Sequence, residues 1–232
     1  MKRNNTLYCF SPPIMLLTMI IEVTMFFYVI YRYKLNSVTR IIAAILILLA
    51  IFQLAEFNVC GGYKSELFMH IGFVAITLLP ALGLHLIYKI AKKTNNWSIY
   101  STYLVSFIFA ITLGFQNTAF LSRVCGGNYS IFTLANKVGG FYFAYYYLLL
   151  ILGIGLCLYF ARSSSKKIKK ALYLQAFGYL SFLLPTGIVN TINPKTINGI
   201  PSIMCGFAVI YALILVFAIT PIISPKTNNH RI

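Results

Sequence analysis

Seven apolar runs, each about twenty residues long, decide what this chain can fold into. They are Pro13–Arg32, Thr39–Val59, Phe68–Ile90, Ser98–Phe115, Gly139–Ala161, Ala171–Thr191 and Ile200–Ile223. A helix rising about 1.5 Å per residue needs roughly 20 apolar residues to cross about 30 Å of hydrocarbon, so each run is long enough to span. A β-barrel would alternate polar and apolar residues in segments of about ten, and these runs do not alternate. Composition closes off the soluble alternatives. Hydrophobic residues make up 59% of the 232 and charged ones 9%, with three acids (Glu22, Glu56, Glu66) and no Asp. No water-soluble surface can be built from that, and the chain is far too apolar for solvated disorder. The expected fold is all-α, a single polytopic domain over residues 1–232 forming a seven-transmembrane helix bundle. Pro80 and Pro185, each within Leu-Leu-Pro, are expected as kinks whose freed backbone groups neighbouring helices satisfy.

The net charge of +16 could suggest nucleic acid. The basic residues, however, lie in short clusters between apolar runs, as membrane proteins distribute them, so no nucleic-acid partner is expected. Thirteen of the 19 fall on one set of connections: Arg32, Lys34 and Arg40; Lys89, Lys92 and Lys93; Arg162, Lys166, Lys167, Lys169 and Lys170; Lys226 and Arg231. The other set holds six: Lys2, Arg3, Lys64, Arg123, Lys137 and Lys195. The positive-inside rule then puts the amino terminus outside and the carboxyl terminus in the cytoplasm, in a multi-pass protein of the plasma or cytoplasmic membrane. No cleaved signal peptide is expected, because the first apolar run is too long for one. The connections leave no room for a kinase, cyclase or ATPase domain, so any signal is expected to pass to a membrane or cytoplasmic partner. The Arg162–Lys170 stretch is expected first as a cytoplasmic anchor against anionic lipid and second as a docking site.

Polar residues inside the spans are the candidate sites, since an ionisable group in hydrocarbon is costly and usually faces the bundle interior or a water path. Glu22 lies near the middle of the first span, as a proton- or cation-coupling carboxyl or as a protonated Glu bonded to a neighbouring helix. Gln53 and Glu56 are at i and i+3, on one face near the outer end of the second span. His70 opens the third span on that side and Gln116 closes the fourth. Together these four could line an outward-opening polar pocket for a small molecule or lipid. Cys60 and Cys125 each precede Gly-Gly on the outer side and could form a disulfide, with Cys9 a third candidate there. Cys157 and Cys205 lie within spans as packing residues. The cluster Phe141–Tyr147 is expected as an interfacial aromatic belt, an aromatic ligand cage being the sharper alternative.

Enzyme chemistry finds no foothold. A zinc hydrolase of the ceramidase type needs several His and usually Asp; the three His here are His70 and His85, near opposite faces, and His230 in the tail. A retinal protein needs a Lys in the last helix, and an intramembrane aspartic protease needs Asp. Ser11 has no His or acid partner nearby in sequence, and no phosphate-binding glycine loop is present. Neither a catalytic residue nor a metal or cofactor is expected.

Two resemblances emerge from these residues. Cys9-Phe10-Ser11 leading into the first span, with Gln53-Leu-Ala-Glu56 in the second, resembles an uncharacterised prokaryotic and viral membrane family whose chains open Met-Cys-Phe-Ser and carry a Gln-Gln-Leu-Ile-Glu-type stretch in helix two. Here eight residues precede Cys9, Pro12-Pro13 follow Ser11, and Ala55 replaces the usual Ile. The likeness covers about the first 60 residues and implies positions and no mechanism. The stretch from Leu67-Phe68 through Gly72-Phe-Val-Ala-Ile-Thr-Leu-Leu-Pro80 to His85 is similar to the third helix of the seven-helix sensory region of some bacterial histidine kinases. The seven spans, the outside-in orientation, the outer polar residues and the short tail point to a receptor-like or sensory module that binds a small molecule or lipid from the outer side and passes a helix shift to a partner. The alternatives are a small ion- or proton-coupled transporter or channel, with Glu22 as coupling carboxyl, and a structural subunit of a membrane complex.

Overall fold

All seven apolar runs are helices in the computed structural model, which describes residues 12–60, 66–116, 120–125, 130–134 and 136–226. They are α1 (Pro12–Arg32), α2 (Ser37–Cys60), α3 (Glu66–Ala91), α4 (Asn96–Phe115), α5 (Asn136–Arg162), α6 (Lys166–Ile192) and α7 (Ile200–Leu213). The seventh span continues through a π-helical segment, Ile214–Ile219, into a final turn, α8 (Thr220–Ile223). All seven spans are long and apolar enough to cross a membrane, and the protein is an integral membrane protein. α6 starts at Lys166 rather than Ala171, because lysine is a good helix former and its charged tip can stay in water while the helix continues.

One feature of the spans was not expected. Pro221 sits inside the seventh span, where it has no N–H to give and its ring presses on the carbonyl of the preceding turn. The helix answers by widening into the π segment just before it, and Thr220 Oγ1 donates to the Leu215 carbonyl at 2.7 Å across that wide turn. Wide turns of this kind recur at functional positions. The segment between α4 and α5 carries a hairpin. Its strands β1 (Phe120–Cys125) and β2 (Ser130–Leu134) pair antiparallel, with Cys125 opposite Ser130.

The helices fall into a peripheral and a central set. α2, α3 and the seventh span are the most buried, and α1 and α4 the least. α3 packs against α2, α4, α5 and α6, while α7 closes the bundle by packing on α6, α1 and α2. Where two backbones approach closely, small residues let them. A Cβ on Gly178 of α6 would lie 2.5 Å from the Tyr211 ring of α7, and one on Gly153 of α5 would lie 2.6 Å from the Tyr179 ring.

The two ends differ. At the basic end, the α1–α2 connection is latched to the end of the seventh span. Asn36 caps α2 by accepting from Val38 N at 2.9 Å and Thr39 N at 3.0 Å, while its Nδ2 donates to Ser224 Oγ at 2.8 Å. Lys34 N donates to the Pro225 carbonyl, and Tyr33 pairs with Lys226 as an antiparallel bridge. Burial raises the Tyr33 phenol above its ordinary range, with Tyr28 adding to the effect and Arg32 opposing it. The opposite, hairpin end holds Cys60, the hairpin and the 3₁₀ turn Pro194–Gly199.

Candidate functional site

α1, α2 and α7 bring the chain's two intramembrane carboxyls to one region. Glu22 of α1 is fully buried, and neither of its oxygens has a hydrogen-bond partner. Glu56 of α2 is 1% exposed; Ser202 of α7 serves it by a side-chain hydrogen bond, and its Oε1 has no partner. Both lie within electrostatic reach of the buried Cys205 thiol, one helical turn along α7 from Ser202. In sequence they stand at different depths and serve different readings; in the fold both reach one thiol. No Lys or Arg is buried among the described residues. A carboxyl so placed is complete only with a proton or a cation on it, because an uncompensated carboxylate in a low-dielectric interior is too costly.

The other expected pocket residues are dispersed. Gln53 is buried beside Glu56 on α2, whereas Gln116 is exposed at the end of α4. His70 is buried on the other side of α3, its Nδ1 2.6 Å from the Leu113 carbonyl of α4. The four therefore do not line one outward-opening pocket. His70 instead forms part of the wall of a lateral groove between α2, α3 and α4, with Leu48, Ile71, Val74, Phe107 and Ile111. This groove has a volume of about 440 Å³ and an almost wholly apolar lining.

Two interior cavities among the described residues are far smaller. A cavity of about 30 Å³ lies among Leu79, Pro80, Tyr146, Tyr179, Cys205 and Tyr211. A second, of about 10 Å³, shares Tyr146, Met204 and Cys205 with it and reaches toward Ile200 and Pro201 at the hairpin end. Spaces of this size hold a water molecule or two at most. A surface cleft of about 470 Å³ runs along α6 past Lys166, Lys169, Lys170 and Tyr173 at the basic end, with Lys169 Nζ 5.8 Å from the Tyr173 ring.

Several functional-looking side chains carried no signal in the sequence. Tyr142 and Tyr145 were expected in an interfacial belt, yet both are buried, and only part of that cluster, such as Phe141, faces outward. They turn inward because α3 offers their hydroxyls partners. Tyr145 donates to the Thr77 carbonyl at 2.7 Å and lies 2.6 Å from Ser106 Oγ of α4, while the Tyr142 phenol is 3.2 Å from Thr77 Oγ1. Thr77 is one turn before Pro80, so Tyr145 serves the backbone where the proline loosens it. Pro80 and Pro185 both lie inside continuous helices, and Thr186 Oγ1 returns a bond to the Phe182 carbonyl beside the second. Gln175 of α6 is buried, donates from Nε2 to the Tyr211 hydroxyl at 2.6 Å, and leaves Oε1 without a partner.

Cys157 and Cys205 are free, buried thiols, as packing residues would be. Cys60, at the end of α2, is not among the free thiols. Cys9, Phe10 and Ser11 lie outside the described residues, as does the Cys125 side chain. No group of three His, Cys, Asp or Glu that could hold a metal ion occurs among the described residues. No protein-family model matches the chain, and no curated protein matches it.

Proposed function

We propose that the chain is a receptor-like sensory membrane module that takes an apolar, lipid-like ligand from the outer half of the bilayer and passes a helix shift to a partner protein at its basic end. The observation that carries this reading is the disparity in size between the lateral groove, at about 440 Å³, and the interior cavities, at about 30 and 10 Å³. A groove of that volume is in the range of organic-ligand sites, whereas these two interior cavities have room only for water. α3 connects the two. His70, Ile71 and Val74 form one groove wall, and Thr77 and Pro80 on the same helix meet α5 and the central cavity. A ligand wedged between α3 and α4 would bias the tilt of α3 about Pro80. The seventh span, latched to Asn36 by Ser224, would carry the shift to the basic end.

The charge bias of thirteen to six favours a cytoplasmic basic end in a plasma or cytoplasmic membrane, and the hairpin end then faces an oxidising space where Cys60 and Cys125 would pair. The likeness to seven-helix sensory regions agrees with this reading. Photo-crosslinking with a diazirine-bearing acyl lipid in nanodiscs tests it. Label should concentrate on α3 and α4 peptides and be lost when Ile111→Trp fills the groove. Label spread evenly over all outward faces, and unchanged by Ile111→Trp, would refute it.

A small ion- or proton-coupled transporter is the second reading, and the unpartnered oxygens of Glu22 favour it. Should neither ligand binding nor flux respond to substitutions at Glu22, Glu56 or the groove, a structural subunit of a membrane complex is what remains.

A further inference from the structure

We propose that Glu22 and Glu56, both buried with unpartnered carboxyl oxygens, form an intramembrane proton site whose occupancy sets how tightly α1 packs on α2 and α7. Such a site deepens the transporter reading and is equally compatible with a module that signals. Three carboxyl oxygens have nothing to bond. Both Glu22 oxygens and Glu56 Oε1 are buried without partners, although about nine in ten buried polar groups in folded proteins find one. A buried carboxyl usually escapes this condition through a cation or a donor. Here the facing groups supply neither a cation nor, for Glu22, a donor. The titratable group within reach of both carboxyls is Cys205 on α7, and Tyr142 and Tyr146 on α5 approach its thiol in turn.

The ligand that fits is a proton. A metal ion requires about six oxygens for calcium or magnesium, or three to four N, S or O ligands for zinc. Glu22 has no polar atom within hydrogen-bond range, and no cluster of three ligating side chains occurs among the described residues. A proton needs only the carboxyl itself. Its route is suggested by Cys205, which borders both interior cavities, the smaller of which reaches toward the hairpin end at Ile200 and Pro201.

Occupancy has a mechanical consequence. With a proton on each carboxyl the core is neutral and α1 can lie flat against α2 and α7. Loss of a proton places a charge at midspan that only water can compensate. α1 is one of the two least buried spans, so it is the element that can yield to admit that water. The opening would expose Cys205, while Cys157 on α5, equally buried and free, should stay covered.

Infrared titration of the intact protein in nanodiscs, combined with alkylation of Cys205 scored against Cys157, tests the site. The carboxylic C=O band should be present at neutral pH and lost on alkaline titration. Glu22→Gln and Glu56→Gln should each remove one component, and Cys205 labelling should rise relative to Cys157 as the band disappears. If either variant fails to fold, carboxyl-labelled ¹³C-glutamate in the unsubstituted chain tests whether the band shifts as a glutamate carboxyl must, and an unshifted band overturns the proposal. Absence of the band at every pH, or its persistence until the protein denatures, overturns the proposal. Loss of the band on adding sodium at constant pH would make the site a cation site and overturn the assignment to a proton. The lipid-crosslinking result is independent of all these outcomes, so failure of one account does not imply failure of the other.

Discussion

At Gly178, α6 runs so close to α7 that the Cβ of an alanine would stand 2.5 Å from Cδ2 and 3.0 Å from Cε2 of Tyr211. The ring cannot swing away cheaply. It is buried, packs against Tyr179 at 5.5 Å and Phe182 at 5.8 Å between centroids, and accepts the Gln175 bond. Overpacking of this kind costs about 1–3 kcal/mol. If the ring yields, Gln175 loses its bond while its Oε1 already has no partner, which costs about 1–3 kcal/mol more. Alanine returns up to about 1 kcal/mol as the better helix former. Gly178→Ala should therefore destabilise the bundle by about 3 kcal/mol, read as reversible unfolding in mixed micelles by circular dichroism. Gly155→Ala is the control, because nothing lies within 4 Å of its added Cβ, and it should be neutral or slightly stabilising. Equal stability of Gly178→Ala and Gly155→Ala would refute the packing of α6 on α7 described above.

Other consequences can be checked more briefly. A reporter fused after Ile232 should behave as cytoplasmic; a signal from the opposite side would reverse the orientation and the oxidising setting of Cys60. Thiol labelling of the denatured, unreduced protein should miss Cys60 and Cys125, whose bond would close about 65 residues and contribute up to roughly 4 kcal/mol by the chain-entropy model. Free thiols at both positions would end that pairing. Tyr145→Phe removes the donor beside Pro80 and should cost about 1 kcal/mol in the same unfolding assay, in line with interhelical bonds in membranes. An unaltered midpoint would mean that the Thr77 carbonyl finds another donor.

The extent of each span was legible because length and apolarity alone mark a membrane helix. Which face of each helix turns inward was not. Lipid tails are as apolar as leucine, so the inner and outer faces of α3 or α5 read alike. Tyr142 and Tyr145 show the consequence: only the positions of Thr77 and Ser106 on other helices reveal that two of the clustered aromatics are core residues. Glu22 and Glu56 stood out as costly residues, but their shared reach to Cys205 depends on α7 packing on both α1 and α2, which no local pattern encodes. The π segment had a visible cause in Thr220-Pro221, close enough to the end of the span to pass for its terminus. His70 and Gln116 shared an end of the bundle with Glu56 without sharing its face.

Proton-driven flux in liposomes reconstituted with the intact protein tests the receptor-like account most directly. With cavities of about 30 and 10 Å³ around Cys205 among the described residues, the bundle should show no more flux under an imposed pH gradient than protein-free vesicles. Sustained flux that Glu22→Gln abolishes, in a variant that still folds, would contradict that account and establish the carrier in its place.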